Sequence, residues 1–300
     1  MPGATWTAAE RSLVRTLVEQ GFNSAQIFEK LHADGIQRSY KGIQRLKERA
    51  GWHAKVEPSP FMLDKAVTLQ SDRTLLLFDI HAPLQDAPWL NRVINLALKW
   101  KVDDVGVGGD LIDFSSICYW GRCIGIELKD ELDAGAHIMG VLESCFRRKV
   151  LAGGNHERRM VRKLDGSMKM QEVLDYFVAS PNTITTNKTW FVLESGGETF
   201  RVCHPGNYSR NPTWIASRLA SKYHCTVIGG HDHLWGQARD VSNGWWAIDA
   251  GCCLDPKRVT YLEDQMTTFP QPVQGAVIVI DGTPILLGEQ NIGLYEKVTL

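Results

Sequence analysis

Residues 74–81 read TLLLFDIH, a run of apolar side chains that stops at Asp79-Ile80-His81. A short apolar run bounded by polar residues suits a strand buried on both faces. The same arrangement recurs down the chain. VGVGGD at 105–110 ends in Asp110, with Asp113 three residues further on. VLAGGNHE at 150–157 ends in Asn155-His156-Glu157, and TFRVCH at 199–204 ends in His204. TVIGGHDH at 226–233 ends in His231-Asp232-His233. Open α/β sheets place their ligand sites at the carboxyl ends of strands, so these five endings could converge on one point.

The intervening sequence supports that frame. Helix-like stretches run from Ala87 to Trp100 and from Leu128 to about Arg148, and strands alternating with helices point to an α/β domain. After residue 185 the chain turns strand-rich, with TWFVLES, WWAIDAG and AVIVID. Asp281-Gly282 separates AVIVID from TPILLG, which is a hairpin signal.

The residue types at the strand ends make chemical sense together. Carboxylates and neutral imidazoles suit Mn²⁺, Fe²⁺, Zn²⁺ or Ni²⁺, with Mn²⁺ the first choice. A carboxylate can bridge two metals roughly 3.5–4 Å apart, and such a pair lowers the pKa of a bridging water for in-line attack on phosphorus. Glycines just before Asp110, Asn155 and His231 allow the backbone to turn and to approach the ions closely. Asp113 and Glu157 read as residues that orient ligands or loops, and Asp232, between two ligands on an extended segment, points away.

The ordered series DIH, GDLID, GNHE, a lone His and GHDH resembles the calcineurin-like metallophosphoesterases over about residues 72–255. The resemblance implies a four-layer β-sandwich flanked by helices. It implies that Asp79, His81 and His233 hold one metal, that Asn155, His204 and His231 hold a second, and that Asp110 bridges. His156 would stabilise the transition state or protonate the leaving oxygen. One departure limits the subgroup. The protein serine/threonine phosphatases of this superfamily carry an Arg shortly after the second motif, and here Phe114, Ser115 and Ser116 follow GDLID. Arg158 and Arg159 could replace it as phosphate contacts, or could be solvated residues at a helix start. Tyr119, Arg122 and Tyr208, in the aromatic segments 114–126 and 207–214, are further substrate candidates, with ordinary packing as the alternative.

Upstream the style differs. Residues 1–56 carry nine Lys/Arg and five Asp/Glu, a net of +4, against −5 for the rest. Three short helices are expected there: one after the Thr7-to-Glu10 capping box, one from about Ser24, and one from Tyr40 to about Ala50. W-T-x-x-E at 6–10, Gly21 and the basic third helix resemble a helix-turn-helix or Myb-like unit. In such a unit the third helix enters the major groove, so Arg38, Tyr40, Lys41, Gln44, Arg45 and Lys47 are the expected outward contacts to DNA. A protein partner is the alternative. Residues 57–71, with Pro58 and Pro60, read as a linker ahead of a catalytic domain at 72–300.

Bulk composition narrows the class. Of 300 residues 44% are hydrophobic, enough for a full core. Seven cysteines with no CxxC argue against a disulfide framework or a Cys-rich zinc site. Glu10 and Arg11 fall where a signal peptide needs an apolar run, and no run approaches ~18 uncharged apolar residues. A cytoplasmic protein of bacterial or phage type is expected. The leading reading is a two-metal phosphodiesterase, a nuclease acting on DNA. The alternatives are hydrolysis of a nucleotide or cyclic nucleotide, a phosphoprotein phosphatase, or a metal-binding scaffold without turnover.

Overall fold

The computed structural model describes residues 6–20, 22, 24–50, 52, 66–118, 125–259 and 270–299, apart from the side chains of 48 and 49. Two compact units are present, Met1–Pro60 and Phe61–Leu300.

The first unit contains helices α1 (Ala8–Glu19), α2 (Ser24–Ala33) and α3 (Tyr40–Ala50). A complete capping box starts α1: Thr7 Oγ1 accepts from the Glu10 amide at 3.2 Å, and the Thr7 amide donates to the Glu10 carboxylate at 2.7 Å. Val14, Leu17 and Val18 then meet Ile27, Leu31, Ile43 and Leu46 in a small buried core. The expected outward set needs a correction. Arg38 Nη2 lies 2.6 Å from Glu10 Oε2, with the two side chains only 13% and 15% exposed. The guanidinium also stacks on Trp6 at 4.7 Å. Its charge ties the α2–α3 connection to the start of α1. Lys47 donates to Ser24 Oγ at 3.2 Å, back toward α2. Lys41 and Arg45 are exposed, Tyr40 is 43% exposed and Gln44 is half-buried.

The second unit runs β1 (Thr68–Gln70), β2 (Arg73–Leu77), α4 (Ala87–Lys99), β3 (Asp104–Val107), α5 (Leu128–Cys145) and β4 (Arg148–Leu151). It continues with α6 (Glu157–Lys163), α7 (Met170–Asp175), β5 (Thr183–Thr185), β6 (Trp190–Ser195), β7 (Glu198–Cys203) and α8 (Trp214–Tyr223). It closes with β8 (Thr226–Gly229), β9 (Trp235–Arg239), β10 (Trp246–Ala250), β11 (Gly275–Ile280), β12 (Thr283–Gly288) and α9 (Ile292–Tyr295).

Two mixed six-stranded sheets result, ordered β12-β11-β2-β3-β4-β5 and β1-β6-β7-β8-β10-β9. Strands β2 to β5 are parallel, as are β7, β8 and β10. The alternation of β2 builds the layers. Leu76 and Phe78 face the second sheet, joining Val150, Val277, Phe191, Leu193, Phe200, Ile228 and Ile248 in the inter-sheet core. Leu75 and Leu77 face the other way, onto Leu90, Val93 and Ala97 of α4, Met139 and Leu142 of α5, and Leu174 of α7. Across the molecule Ala216 and Ala220 of α8 cover Val227 and Ala247. The architecture is helices, sheet, sheet, helices. Asp281 and Gly282, at φ of 46° and 78°, form the two-residue turn that pairs Ile280 with Thr283.

Several elements escape the sequence reading, the helices α7 and α9 among them. Residues 68–70, read as linker, form β1 and pair with Val192 to Glu194. The three-residue β5, the half-exposed β9 and the helix α8 also lack a sequence signal. Each is short or borders solvent, so hydrophobic periodicity has little to report, and pairing with a neighbouring strand decides its state.

Candidate metal centre

Five loops leave the carboxyl ends of β2, β3, β4, β7 and β8 and meet. Backbone bonds lock them together. The Asp79 amide donates to Gly109 O at 3.1 Å, the His81 amide to Asp110 O at 3.0 Å, and the Gly230 amide to Cys203 O at 3.2 Å. Two glycines leave room for the carboxylates. A Cβ on Gly154 would fall 2.0 Å from Asp110 Oδ1, and one on Gly230 would fall 2.4 Å from Asp79 Oδ2. The site residues themselves adopt left-handed backbone: φ is 50° at Asp79, 52° at His81, 51° at Asp110, 80° at His231 and 54° at His233. Such conformations cost on the order of 1–3 kcal/mol each and cluster where function needs a fixed side-chain direction. No sequence signal marks them.

Three groups of potential ligands come together among the described residues; His81, Asp113 and His156 make one, and the other two match the expected metal sets. In the first of these two, Asp79, His81 and His233 bring one ligand atom each within 4.8 Å of the others. His233 Nε2 lies 3.2 Å and His81 Nε2 3.7 Å from Asp79 Oδ1. In the second set, Asp110, His204 and His231 meet by the same measure. His204 Nε2 lies 3.3 Å from Asp110 Oδ2, 2.7 Å from Asn155 Oδ1 and 3.1 Å from His231 Nδ1. Asp110 Oδ2 also lies 3.8 Å from His81 Nε2, so it faces both sets.

The donors fit cations. Asp79 Oδ1 is buried and accepts no hydrogen bond, although imidazole nitrogens surround it. A buried carboxylate oxygen that accepts no hydrogen bond is a place that a cation would occupy. Charge at the site says the same. Burial pushes the His81 imidazole down, yet the Asp113 and Asp79 carboxylates outweigh burial and hold it at about 10. Burial and then His204 push His231 down to about 4, which leaves it neutral and able to ligate near neutral pH. Asp79 stays well below its ordinary value, because His233 and His81 overcome the opposing effect of burial.

A supporting layer orients these groups. Asp113 Oδ1 accepts from His81 Nδ1 at 2.8 Å, which turns Nε2 toward the centre. The same oxygen lies 3.2 Å from His156 Nδ1. Glu157, fully buried, accepts from the amides of Asp110, Ile112 and Gly154 at 3.2, 3.0 and 2.7 Å. It therefore binds the β3 and β4 loops together. His156 is 7% exposed, and its Nε2 lies 3.7 Å from Asp110 Oδ2. Arg159 is half-buried against His156, whereas Arg158 is exposed. Tyr208 is 62% exposed, with its ring centre 6.2 Å from that of His231. Tyr119 and Arg122 lie outside the described residues.

Asp232 turns away from the ligands and accepts from the Ser209 amide at 3.0 Å. Asp249, which sequence reasoning missed, accepts from the Thr213 amide, so two carboxylates anchor the loop that carries Tyr208. Asp249 lies within β10 with no ligand motif around it, and only the pairing of β10 with β8 brings it here. Cys252 and Cys253 are fully buried, and burial pushes the Cys253 thiol up to about 12, as befits packing residues.

No protein-family model and no curated protein matches the chain. Among solved structures, vacuolar protein sorting 29 from Cryptosporidium parvum is 13% identical over 72% of this chain and 95% of its own, at a TM-score of 0.39. The zinc complex of Vps29 from Entamoeba histolytica is 12% identical over 72% and 97%, at 0.35. A protein described as a candidate diadenosine tetraphosphatase is 17% identical over 74% and 98%, at 0.37. These likenesses are remote. None carries an activity across, and the geometry of the site bears the functional reading alone. No helix among the described residues is long and apolar enough to cross a membrane.

Proposed function

We propose that the larger unit is a calcineurin-like metallophosphoesterase that hydrolyses phosphodiester bonds with two divalent metal ions, Mn²⁺ first among them. The observation that carries this reading is the place of Asp110 Oδ2, 3.8 Å from His81 Nε2 in one set and 3.3 Å from His204 Nε2 in the other. A shared carboxylate between two ligand sets is what a dinuclear centre requires. Asp79, His81 and His233 would hold one ion, Asn155, His204 and His231 the other, and Asp110 both. When bound, such a pair polarises a phosphoryl oxygen and lowers the pKa of a water that attacks phosphorus. His156 reaches the same space through Nε2, where, once that nitrogen carries a proton, it would meet a phosphoryl oxygen or deliver the proton to the leaving oxygen. Asp113 fixes the orientation of that imidazole through its carbonyl and carboxylate.

DNA is the proposed substrate. Its support is the fusion of this centre to a small helical unit with net charge +4 over residues 1–56. Lys41 and Arg45 are exposed on α3, the helix that would meet a phosphate backbone in a helix-turn-helix unit. A second reading, hydrolysis of a small phosphoester such as a cyclic nucleotide, draws on the net charge of −5 over the rest of the chain.

The test gives Mn²⁺-loaded protein bis-p-nitrophenyl phosphate, p-nitrophenyl phosphate and labelled single- and double-stranded DNA. Cleavage of the diester and of DNA is expected. Cleavage of small esters with DNA intact selects the second reading, and inertness toward all four substrates removes the enzyme.

A further inference from the structure

Arg159 lies on α6 three residues after His156, and its guanidinium turns back onto the centre. Nη1 donates to the Asp113 carbonyl at 2.9 Å, and Nη2 donates to His156 Nε2 at 2.8 Å. His156 Nδ1 lies 2.6 Å from that same carbonyl. A guanidinium only donates, and a carbonyl only accepts. His156 Nε2 must therefore be the acceptor and Nδ1 the donor, which fixes a neutral tautomer in this arrangement.

Among the described residues, no acid meets the charge of Arg159. Arg38, Arg92 and Arg148 each reach a carboxylate within 2.6 Å. Among the described residues no carboxylate stands within ion-pair distance of Arg159, and its hydrogen-bond partners are the neutral carbonyl and the imidazole. A half-buried cation in that state is a place for an anion. Two of its five N–H groups are engaged by the described residues. The nitrogen it covers is the one that faces Asp110 Oδ2 at 3.7 Å.

We infer that Arg159 is the phosphoryl anchor of this site, resting on His156 while the site is free and moving its planar fork to two phosphoryl oxygens when a phosphoester or phosphate binds. The inference rests on the phosphoesterase reading above. It assigns the role to Arg159 and not to its neighbour Arg158, whose side chain stands in solvent. The move has a second effect. It uncovers His156 Nε2 as substrate arrives, so the imidazole meets the reacting group only when a phosphoryl is in place. A guanidinium fork matches two oxygens of one phosphoryl group, and a lysine does not.

The test measures binding of inorganic phosphate to the Mn²⁺-loaded full chain, with metal content and melting midpoint alongside. Arg159→Met is expected to bind phosphate about 10- to 100-fold more weakly with metal content and midpoint unchanged. Arg159→Lys should fall between. With p-nitrophenyl phosphate, the loss should show more in KM than in kcat. Unchanged phosphate affinity in Arg159→Met, in a protein that still hydrolyses esters, overturns the anchor and leaves the enzyme standing. A wild type that binds metal and phosphate yet turns over no ester removes the enzyme reading, while the drop in phosphate affinity in Arg159→Met would still support the anchor. A fall in metal content or midpoint in both variants would make Arg159 structural and overturn the inference.

Discussion

His81 Nε2 and His233 Nε2 face each other across 3.2 Å, although 152 residues separate them in the chain. His81 donates from Nδ1 to Asp113, which directs Nε2 inward. Two imidazole nitrogens held that way repel unless a proton or a cation lies with them. The orphaned Asp79 Oδ1 beside them completes a cation site.

Metal should therefore stabilise the fold. At free metal about 100 times its Kd, binding contributes about 2.7 kcal/mol. For a unit of this size that raises the melting midpoint by about 5–10 °C relative to chelator-treated protein. Scanning calorimetry with EDTA and then with excess Mn²⁺ measures it. His233→Ala should lose much of the shift, and equal midpoints in both wild-type states would deny the site its cations.

His156→Ala should lower kcat about 10²- to 10⁴-fold and leave metal content intact, because His156 is outside both ligand sets. Metal analysis and turnover of bis-p-nitrophenyl phosphate on the same preparation decide this. Turnover within twofold of wild type would take His156 out of the mechanism.

Glu157→Gln keeps the size of the side chain but points an NH₂ at backbone amides that need an acceptor. Each carboxylate oxygen is engaged, Oε1 by Ile112 and Oε2 by Gly154 and Asp110. A loss of about 1–3 kcal/mol is expected, with weaker metal binding because the Asp110 loop loosens. Urea titration and metal affinity give the two readouts, and a variant as stable as wild type would refute the tie between the loops.

Lys41→Gln with Arg45→Gln should weaken DNA binding and flatten its dependence on log salt by about 0.9 for each phosphate that is no longer neutralised. Fluorescence anisotropy across a salt series reports this. An unchanged slope would show that α3 does not meet the phosphate backbone.

The helical unit should lose stability in acid through Glu10. Hydrogen bonds from Arg38 and then from the Thr7 amide hold its carboxyl down from 4.5 to about 2. Between those values the unfolded chain binds the proton that the folded one refuses, so the contribution is complete above about pH 4.5 and vanishes as pH falls through about 2. Amide exchange in α1 and α3 followed from pH 6 downward should show it. Glu10→Gln should remove that acid step, and an identical acid profile in the variant would contradict the pairing.

Much of the candidate centre is legible because its chemistry is local in sequence. Apolar runs such as TLLLF and TVIGG mark buried parallel strands, and polar residues at their ends have nowhere to go but the sheet's carboxyl edge. The glycines before Asp110, Asn155 and His231 carry the same message, since Gly154 and Gly230 adjoin carboxylates that a Cβ would displace. Arg38 is illegible for the opposite reason. Its basic neighbours suggest an outward cation, but its partner Glu10 lies 28 residues away and only helix packing brings them together.

Strand and helix types, the site-bearing ends and the identity of the donors were determined by the sequence, because hydrophobic pattern and side-chain chemistry are properties of short segments. Tertiary structure alone decided that β1 joins a sheet, that Asp249 anchors the Tyr208 loop, that five site residues take left-handed backbone, and that Arg159 turns inward onto His156. These are relations between segments distant in the chain or conformations that packing imposes against local preference. Their free energies come from contacts that exist only once the two sheets have closed on each other.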